Sequence, residues 1–380
     1  MIPFTKPWRT KKRWENKRKS LLLEDEFYEE KFNYLQANQM IEDNITKRLR
    51  KLNYIFPKNK RKLSILAIFR HYNWEKFSLI PALQEFGNVH HFDWSDHIAD
   101  IPKLNQKLKI NKLLIKYFDE LQSKDKIDLI FGYFSGEIID EKTLIYFNQQ
   151  RIPIINLSLN DRELFVGKIR NGKAQGIRDI CKHISISWTS TESATKKILV
   201  EGGIPVYLPE GANPDLHKPY PNEKKIYPVS FVGACYGKRP FVLNELRSKG
   251  INVFAFGEGW SAGPLNTEEM VKIYSRSKIN LGFSSVGSHD DLYCLKGRDF
   301  EITMSGGLYL TEHHEELSNF FRIGEEILTW KTVDELAEKI QFLLSNYKLC
   351  TEVSSACLKT SREKHSWQSR IGSVIDLLKK

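Results

Sequence analysis

Residues 293–312 read YCLKGRDFEITMSGGLYLTE. A loop carrying Lys296 and Arg298 passes into the helical text DFEITM, the pair Gly306-Gly307 lets the chain turn, and LYLT follows as an apolar run of strand length. Helix, tight turn and buried strand in that order are the repeating unit of a parallel α/β sheet. The same stretch also holds chemistry, because Lys296, Arg298 and Glu301 stand at i, i+2 and i+5 around the start of the helix. Two cations there suit a diphosphate, through charge-assisted hydrogen bonds of about 1.5–3 kcal/mol each. A carboxylate repels a diphosphate, so the natural partner of Glu301 is a diol such as a ribose, each oxygen accepting one hydroxyl. The competing reading is a surface ion network among Lys296, Arg298, Asp299 and Glu301, and residue types alone leave both open.

The same rhythm continues on either side. YPVSFVG (227–233), INVFAFG (251–257), KINLGFS (278–284), GLYLTE (307–312) and EILTW (326–330) are strand-like, with helical text such as RPFVLNELRSKG and VDELAEKIQFLLSN between them. An earlier set comprises LSILAIF (63–69), VHHFDW (89–94), DLIFGYF (128–134), PIINLSL (153–159), ISISWT (184–189) and PVYLP (205–209). Segments long enough for crossover helices separate most of these runs, which predicts doubly wound parallel sheets. PEGANPDLHKPYPN (209–222) interrupts the pattern with four prolines and two asparagines, the composition of a linker in which Asn213 reads as a turn residue. The expected architecture is α/β, with two Rossmann-like domains facing a cleft. Its parts are a helical extension over 1–62, a first domain over 63–210, a second over 211–360, and a terminal helix over 361–380 packing back towards the first.

Composition agrees with two cores and narrows the setting. At 380 residues and 41% hydrophobic content the chain exceeds one core and can fill two. Cys181, Cys235, Cys294, Cys350 and Cys357 form no C-x-x-C pair and no metal-ligand spacing, which argues against a zinc site or a disulfide framework. No run approaches the roughly 18 apolar residues of a membrane span, and SLLL (20–23) is short for a signal-peptide core, so a cytoplasmic location is expected. The net charge of +11 suggests a polyanion partner until it is divided along the chain: residues 1–20 carry +7, 21–46 carry −6 and 47–62 carry +8, leaving +2 on the remaining 318. The basic character belongs to the extension, where it suits peripheral attachment to an anionic membrane surface. With little aromatic interleaving beyond Trp8 and Trp14, nucleic acid is not the expected partner.

FVGACYGKR (231–239) adds a second phosphate-type signal: a strand, a turn at Gly233, then Lys238 and Arg239 at the start of a helix. It lacks the spacing of either glycine-rich nucleotide motif. KINLGFSS, then LKGRDFEITMSGGLYLTEHHEELSNFFRIGEEILTWKTVDELAEKIQFLL, then HSWQSR together resemble the C-terminal half of the CgeB-like (spore-maturation) glycosyltransferases, relatives of the group 1 glycosyltransferases with the GT-B fold. YLPEGANPDLHKP and, more faintly, NLSLNDRELF extend the resemblance upstream. The resemblance implies a nucleotide-sugar donor, a UDP-sugar above all, on the second domain and a glycan, lipid-linked or protein acceptor on the first. It assigns the ribose to Glu301 and the diphosphate to Lys238, Arg239, Lys296 and Arg298. Relatives carry a further Glu, eight positions before the ribose-binding one, that contacts the sugar; here that position is Tyr293, and Asp290 or Asp291 is the nearest substitute.

The chemistry so implied needs few groups: negative charge grows on the leaving diphosphate, and fixed cations meet it more strongly in the transition state than in the ground state. The chain has no D-x-D pair, so no metal is expected; retention at the sugar is the expected outcome. A general base, if used, would come from His71 in FRHYNW or Asp161 in SLNDREL, with a satisfied loop histidine as the alternative for His71; His289 in GSHDD, just before the donor loop, is a candidate for contact with the sugar or diphosphate. Rival functions are a non-hydrolysing sugar-nucleotide epimerase of the same fold, a nucleic-acid-binding protein, and a non-catalytic scaffold.

Overall fold

The computed structural model describes residues 5–57, 61–99, 101–286 and 292–379. The chain divides into two compact units, Met1–Pro209 with Ile371–Lys380, and Glu210–Arg370. In the first, strands β1 (Leu63–Phe69), β2 (Gly87–Phe92), β3 (Leu129–Tyr133) and β4 (Ile154–Ser158) are followed by a two-stranded antiparallel hairpin, β5 (Ile169–Arg170) and β6 (Lys173–Ala174), and then by β7 (Ile186–Thr189) and β8 (Pro205–Tyr207). The sheet order is β2-β1-β3-β4-β7-β8 with every pair parallel. All seven residues of LSILAIF are buried, which is why a parallel strand reads as an unbroken apolar run. The order reverses between β1 and β3, the switch point where loops at the carboxyl ends diverge and ligands of such sheets bind.

The second unit repeats the plan with β9 (Tyr227–Val232), β10 (Val253–Phe256), β11 (Ser277–Leu281), β12 (Tyr309–Glu312) and β13 (Leu328–Trp330), ordered β10-β9-β11-β12-β13 and all parallel. Alternation sorts its side chains onto two faces. Val229, Phe231, Leu308 and Leu310 join one core, and Val232, Tyr309 and Phe300 the other. The opening stretch takes the form its text implies: the helix Gly297–Met304, then Gly306 at φ +70°, then β12. A left-handed residue closes the helix there, and at Gly307 a Cβ would lie 2.7 Å from the Asn280 amide, so a side chain at either position would disturb the turn. The expected GT-B type α/β architecture is therefore present.

The N-terminal region is helical, Thr5–Ala37 followed by Ile45–Arg50, and its acidic part packs on the first unit. Lys197, in the helix Ala194–Val200, is buried and places its ammonium 2.7 Å from both Glu24 and Asp25. Arg162 reaches Asp25 at 3.0 Å, Lys196 reaches Glu29 at 2.5 Å, and the Tyr28 hydroxyl donates to Glu201 at 2.8 Å. Removing the central cation leaves two carboxylates facing each other. Lys197→Met should lower the stability of the first unit by about 2–3 kcal/mol, seen as an earlier denaturant midpoint and faster proteolysis within residues 5–37; an unchanged midpoint would show that the apolar contacts alone hold the helix.

Candidate active site

The switch point of the second sheet lies between β9 and β11, and there the structure gathers most of the residues singled out from the sequence. Gly233 follows β9 directly, and a Cβ on it would come within 2.8 Å of an Arg298 guanidinium nitrogen, so the glycine makes room for that side chain. Arg298 and Arg239 both lie over the Phe231 ring, 5.9 and 5.3 Å from its centre. Arg239 also donates to the Ala234 carbonyl at 2.9 Å and stacks 4.0 Å from the Tyr236 ring centre. Burial, and then the neighbouring Arg298 cation, bring its pKa down to about 10.

Lys238 pairs with Glu312 at the carboxyl end of β12, and the other Glu312 oxygen accepts the backbone N–H groups of Ser284 and Ser285, each at 3.1 Å. Lys296 meets the same short segment from the opposite direction, its ammonium donating to the carbonyls of Phe283 at 3.1 Å and Ser285 at 2.7 Å. An ammonium has three hydrogens, so one remains for a ligand. Burial first, then the cations Arg298 and Arg239, lower its pKa to about 8. The helix Gly297–Met304 starts at Lys296, whose backbone N–H is capped by Asp299 at 2.7 Å; Asp299 in turn accepts the Tyr309 hydroxyl at 2.6 Å. Four cations thus converge at the ends of β9, β11 and β12, beside the start of the helix Gly297–Met304.

Glu301 lies one turn into that helix, with the His217 ring 3.9 Å away. A Cβ built on Gly297 would be 3.2 Å from a Glu301 oxygen and 2.9 Å from one of Glu210, so these two carboxylates are close neighbours. Burial, then the charges of Glu301 and Asp299, push the Glu210 carboxyl up to about 8. Between pH 4.5 and 8 the unfolded chain has released this proton while the folded chain keeps it, so Glu210 makes stability fall across that window and level off above it. Glu210→Gln should therefore raise the melting temperature at pH 8, by on the order of 1–2 kcal/mol of stability, and leave it nearly unchanged at pH 5; equal effects at both would mean that Glu210 ionises normally.

Tyr293, where relatives of the resembled family carry a carboxylate, stacks on His314 at 6.0 Å with the rings 5° from parallel. His289, Asp290 and Asp291 lie outside the described residues. In the first unit His71 follows β1, 3.5 Å from Glu75, and accepts the Lys76 backbone N–H at 3.3 Å. Asp161 is buried, accepts the Ser158 hydroxyl at 2.5 Å, and has its pKa raised by burial. His71 lies in the loop after β1 and Asp161 at the start of the short helix Asp161–Leu164 after β4, and no contact joins the two among the described residues. Sequence reading passed over Glu210, His217 and Glu312. The first two sit in the proline-rich linker text, and Glu312 carried one readable signal, a carboxylate at the carboxyl end of a parallel strand.

Residues 238–376 match the family described as glycosyl transferase-like. No curated protein matches the chain. Among solved structures, sucrose-phosphate synthase from Thermosynechococcus elongatus is similar at 12% identity and a TM-score of 0.60, covering 84% of this chain and 99% of that one. A glycosyltransferase from Rickettsia africae matches at 12% identity and 0.60, over 84% and 98%. HepE from Anabaena, solved in complex with UDP-glucose, matches at 10% and 0.56, over 83% and 99%. At these identities the likeness establishes the fold, which is GT-B, over both units. With the glycosyl transferase-like match spanning most of the second unit, the chain is an enzyme of the glycosyltransferase class.

Proposed function

We infer that the protein moves a sugar from a UDP-sugar to a glycan, lipid-linked or protein acceptor, without a metal ion, and that it is of the CgeB-like type. The observation that carries this reading is the convergence of Lys238, Arg239, Lys296 and Arg298 around the β9 and β11 ends, one turn from Glu301. Those cations and the start of helix Gly297–Met304 take the diphosphate, and Glu301 takes the ribose diol. HepE, of the same fold, was solved with UDP-glucose, which supports a uridine donor. As the bond to the sugar breaks, charge builds on the leaving phosphate, and cations already fixed in place need no reorganisation to meet it. The lack of a carboxylate at Tyr293 leaves the sugar itself to other groups, Asp290 and Asp291 among them. Retention is the outcome we favour; were the enzyme inverting, His71 would be the better base, since Asp161 is closed in by its own hydrogen bond and burial.

Full-length protein incubated with radiolabelled UDP-sugars should release free sugar slowly in water and faster with an acceptor. Failure to bind any nucleotide sugar would overturn the donor assignment, and epimerised donor in place of released sugar would favour the epimerase reading. We propose a cytoplasmic location, with peripheral attachment at the inner face of a membrane through the basic residues 1–20 or 47–62. Among the described residues no helix is long and apolar enough to cross a bilayer.

A further inference from the structure

The first unit contains a cavity of about 610 Å³ at the carboxyl ends of β1, β3 and β4, of the size that takes small ligands (~300–1,000 Å³). Its walls combine two chemistries. Tyr72, Trp74, Trp94 and Tyr133 supply aromatic surface, Trp74 and Tyr133 lying 6.1 Å apart with their planes at 45°. Such faces receive the C–H face of a sugar ring. Lys103, Lys168 and Arg170 supply positive charge against two carboxylates, Glu75 and Glu137.

Both carboxylates are already committed. One Glu75 oxygen accepts the backbone N–H groups of Tyr72, Asn73 and Trp74 at 2.9, 3.1 and 3.1 Å, and Glu137 faces Arg170 at 3.9 Å. Among the described residues, no carboxylate lies within ion-pair distance of Lys103 or Lys168. The wall that carries Lys168 is a built element. Hairpin β5–β6 turns through Asn171 and Gly172, at φ +49° and +74°, and is clamped by Gly136 N–H to Gly176 O at 2.8 Å and Glu137 N–H to Gln175 O at 3.0 Å. Gly176 allows the close approach, since a Cβ there would fall 2.0 Å from the Leu164 carbonyl oxygen.

The cavity also offers amides, Asn73, Asn160 and Gln175, of the kind that share a sugar's hydroxyls, and adds to them the ammonium groups of Lys103 and Lys168 with no carboxylate at ion-pair distance among the described residues. We propose that it takes an anionic sugar, a glycan unit bearing a phosphate or a carboxylate, as the acceptor. This rests on the reading that the first unit holds the acceptor. The ring lies on Trp74 and Tyr133, and the anion meets Lys103 and Lys168.

Intrinsic tryptophan fluorescence of the full-length protein tests it, titrated with glucose, galactose, their 6-phosphates, glucuronate, galacturonate and inorganic phosphate, with UDP titrated separately. At least one charged sugar should bind tenfold or more tightly than its neutral parent and than inorganic phosphate, and the arm that does so names the anion. Lys103→Ala with Lys168→Ala should bring the preference within twofold while the UDP affinity stays as it was. Equal binding of charged and neutral sugars, inorganic phosphate binding as tightly as a sugar phosphate, or a preference that survives the double substitution would each overturn the proposal. Loss of UDP binding with the sugar preference intact would instead count against the donor site alone.

Discussion

Arg298→Ala is expected to lower the rate of sugar transfer by about 10²–10³-fold, with a much smaller change in donor affinity. The guanidinium is held in place before any ligand arrives, between the Phe231 ring and the space that Gly233 leaves for it. On the proposed assignment a cation so fixed meets the diphosphate already in the ground state, but its interaction strengthens as the leaving group gathers charge, and only that difference accelerates the reaction. The loss should therefore appear in the turnover number, measured at saturating donor in steady-state kinetics. Arg298→Lys should recover part of the rate, since a point charge replaces the fork that suits phosphate oxygens. Thermal denaturation serves as the control for folding. A variant that folds and turns over at the wild-type rate would remove Arg298 from the diphosphate.

Glu301→Ala should weaken UDP binding by about 10²-fold, the loss of two charge-assisted hydrogen bonds from a diol after partial replacement by water. The fold should tolerate the change. Glu301 is one of the charges that push the Glu210 carboxyl up, so its removal lets Glu210 ionise more readily and leaves no buried charge without a partner. Calorimetric titration with UDP and with a dideoxyribose analogue separates the role proposed from a general loss. Wild type should prefer UDP strongly, and the variant should bind the two almost equally. An undiminished preference for the diol would refute the assignment.

The fold could be read from the chain because its strands are buried on both faces. LSILAIF and YPVSFV announce themselves as apolar runs, and the observed strands fall within a few residues of the expected ones. Hairpin β5–β6 went unread for the opposite reason. Its strands are two residues each and mostly exposed, and the Asn171-Gly172 pair was the sole local sign of it. The cations at 238, 239, 296 and 298 stood out because charge next to a glycine turn is unusual text. Glu210 and His217 did not, because PEGANPDLHKP has the composition of a surface linker. What draws it in is remote: the Ala212 N–H donates to the His365 carbonyl at 2.9 Å, and the Trp367 N–H donates back to Ala212 at 3.1 Å. The acidic part of the N-terminal helix was similarly opaque, since its partner Lys197 lies more than 170 positions away.

Glu312 gives the cluster of cations a resident counter-ion. Without it Lys238, repelled by the three cations that have anchors of their own, would turn into solvent whenever the site stood empty. A carboxylate rooted on β12 and anchored by two backbone N–H groups keeps Lys238 at its post during that interval. On the proposed donor assignment, arrival of a diphosphate would be an exchange of one anion for another at an ammonium already stripped of much of its water. The lysine would then change partner without having to be gathered in from solution, and on departure of the proposed nucleoside diphosphate it would have somewhere to return.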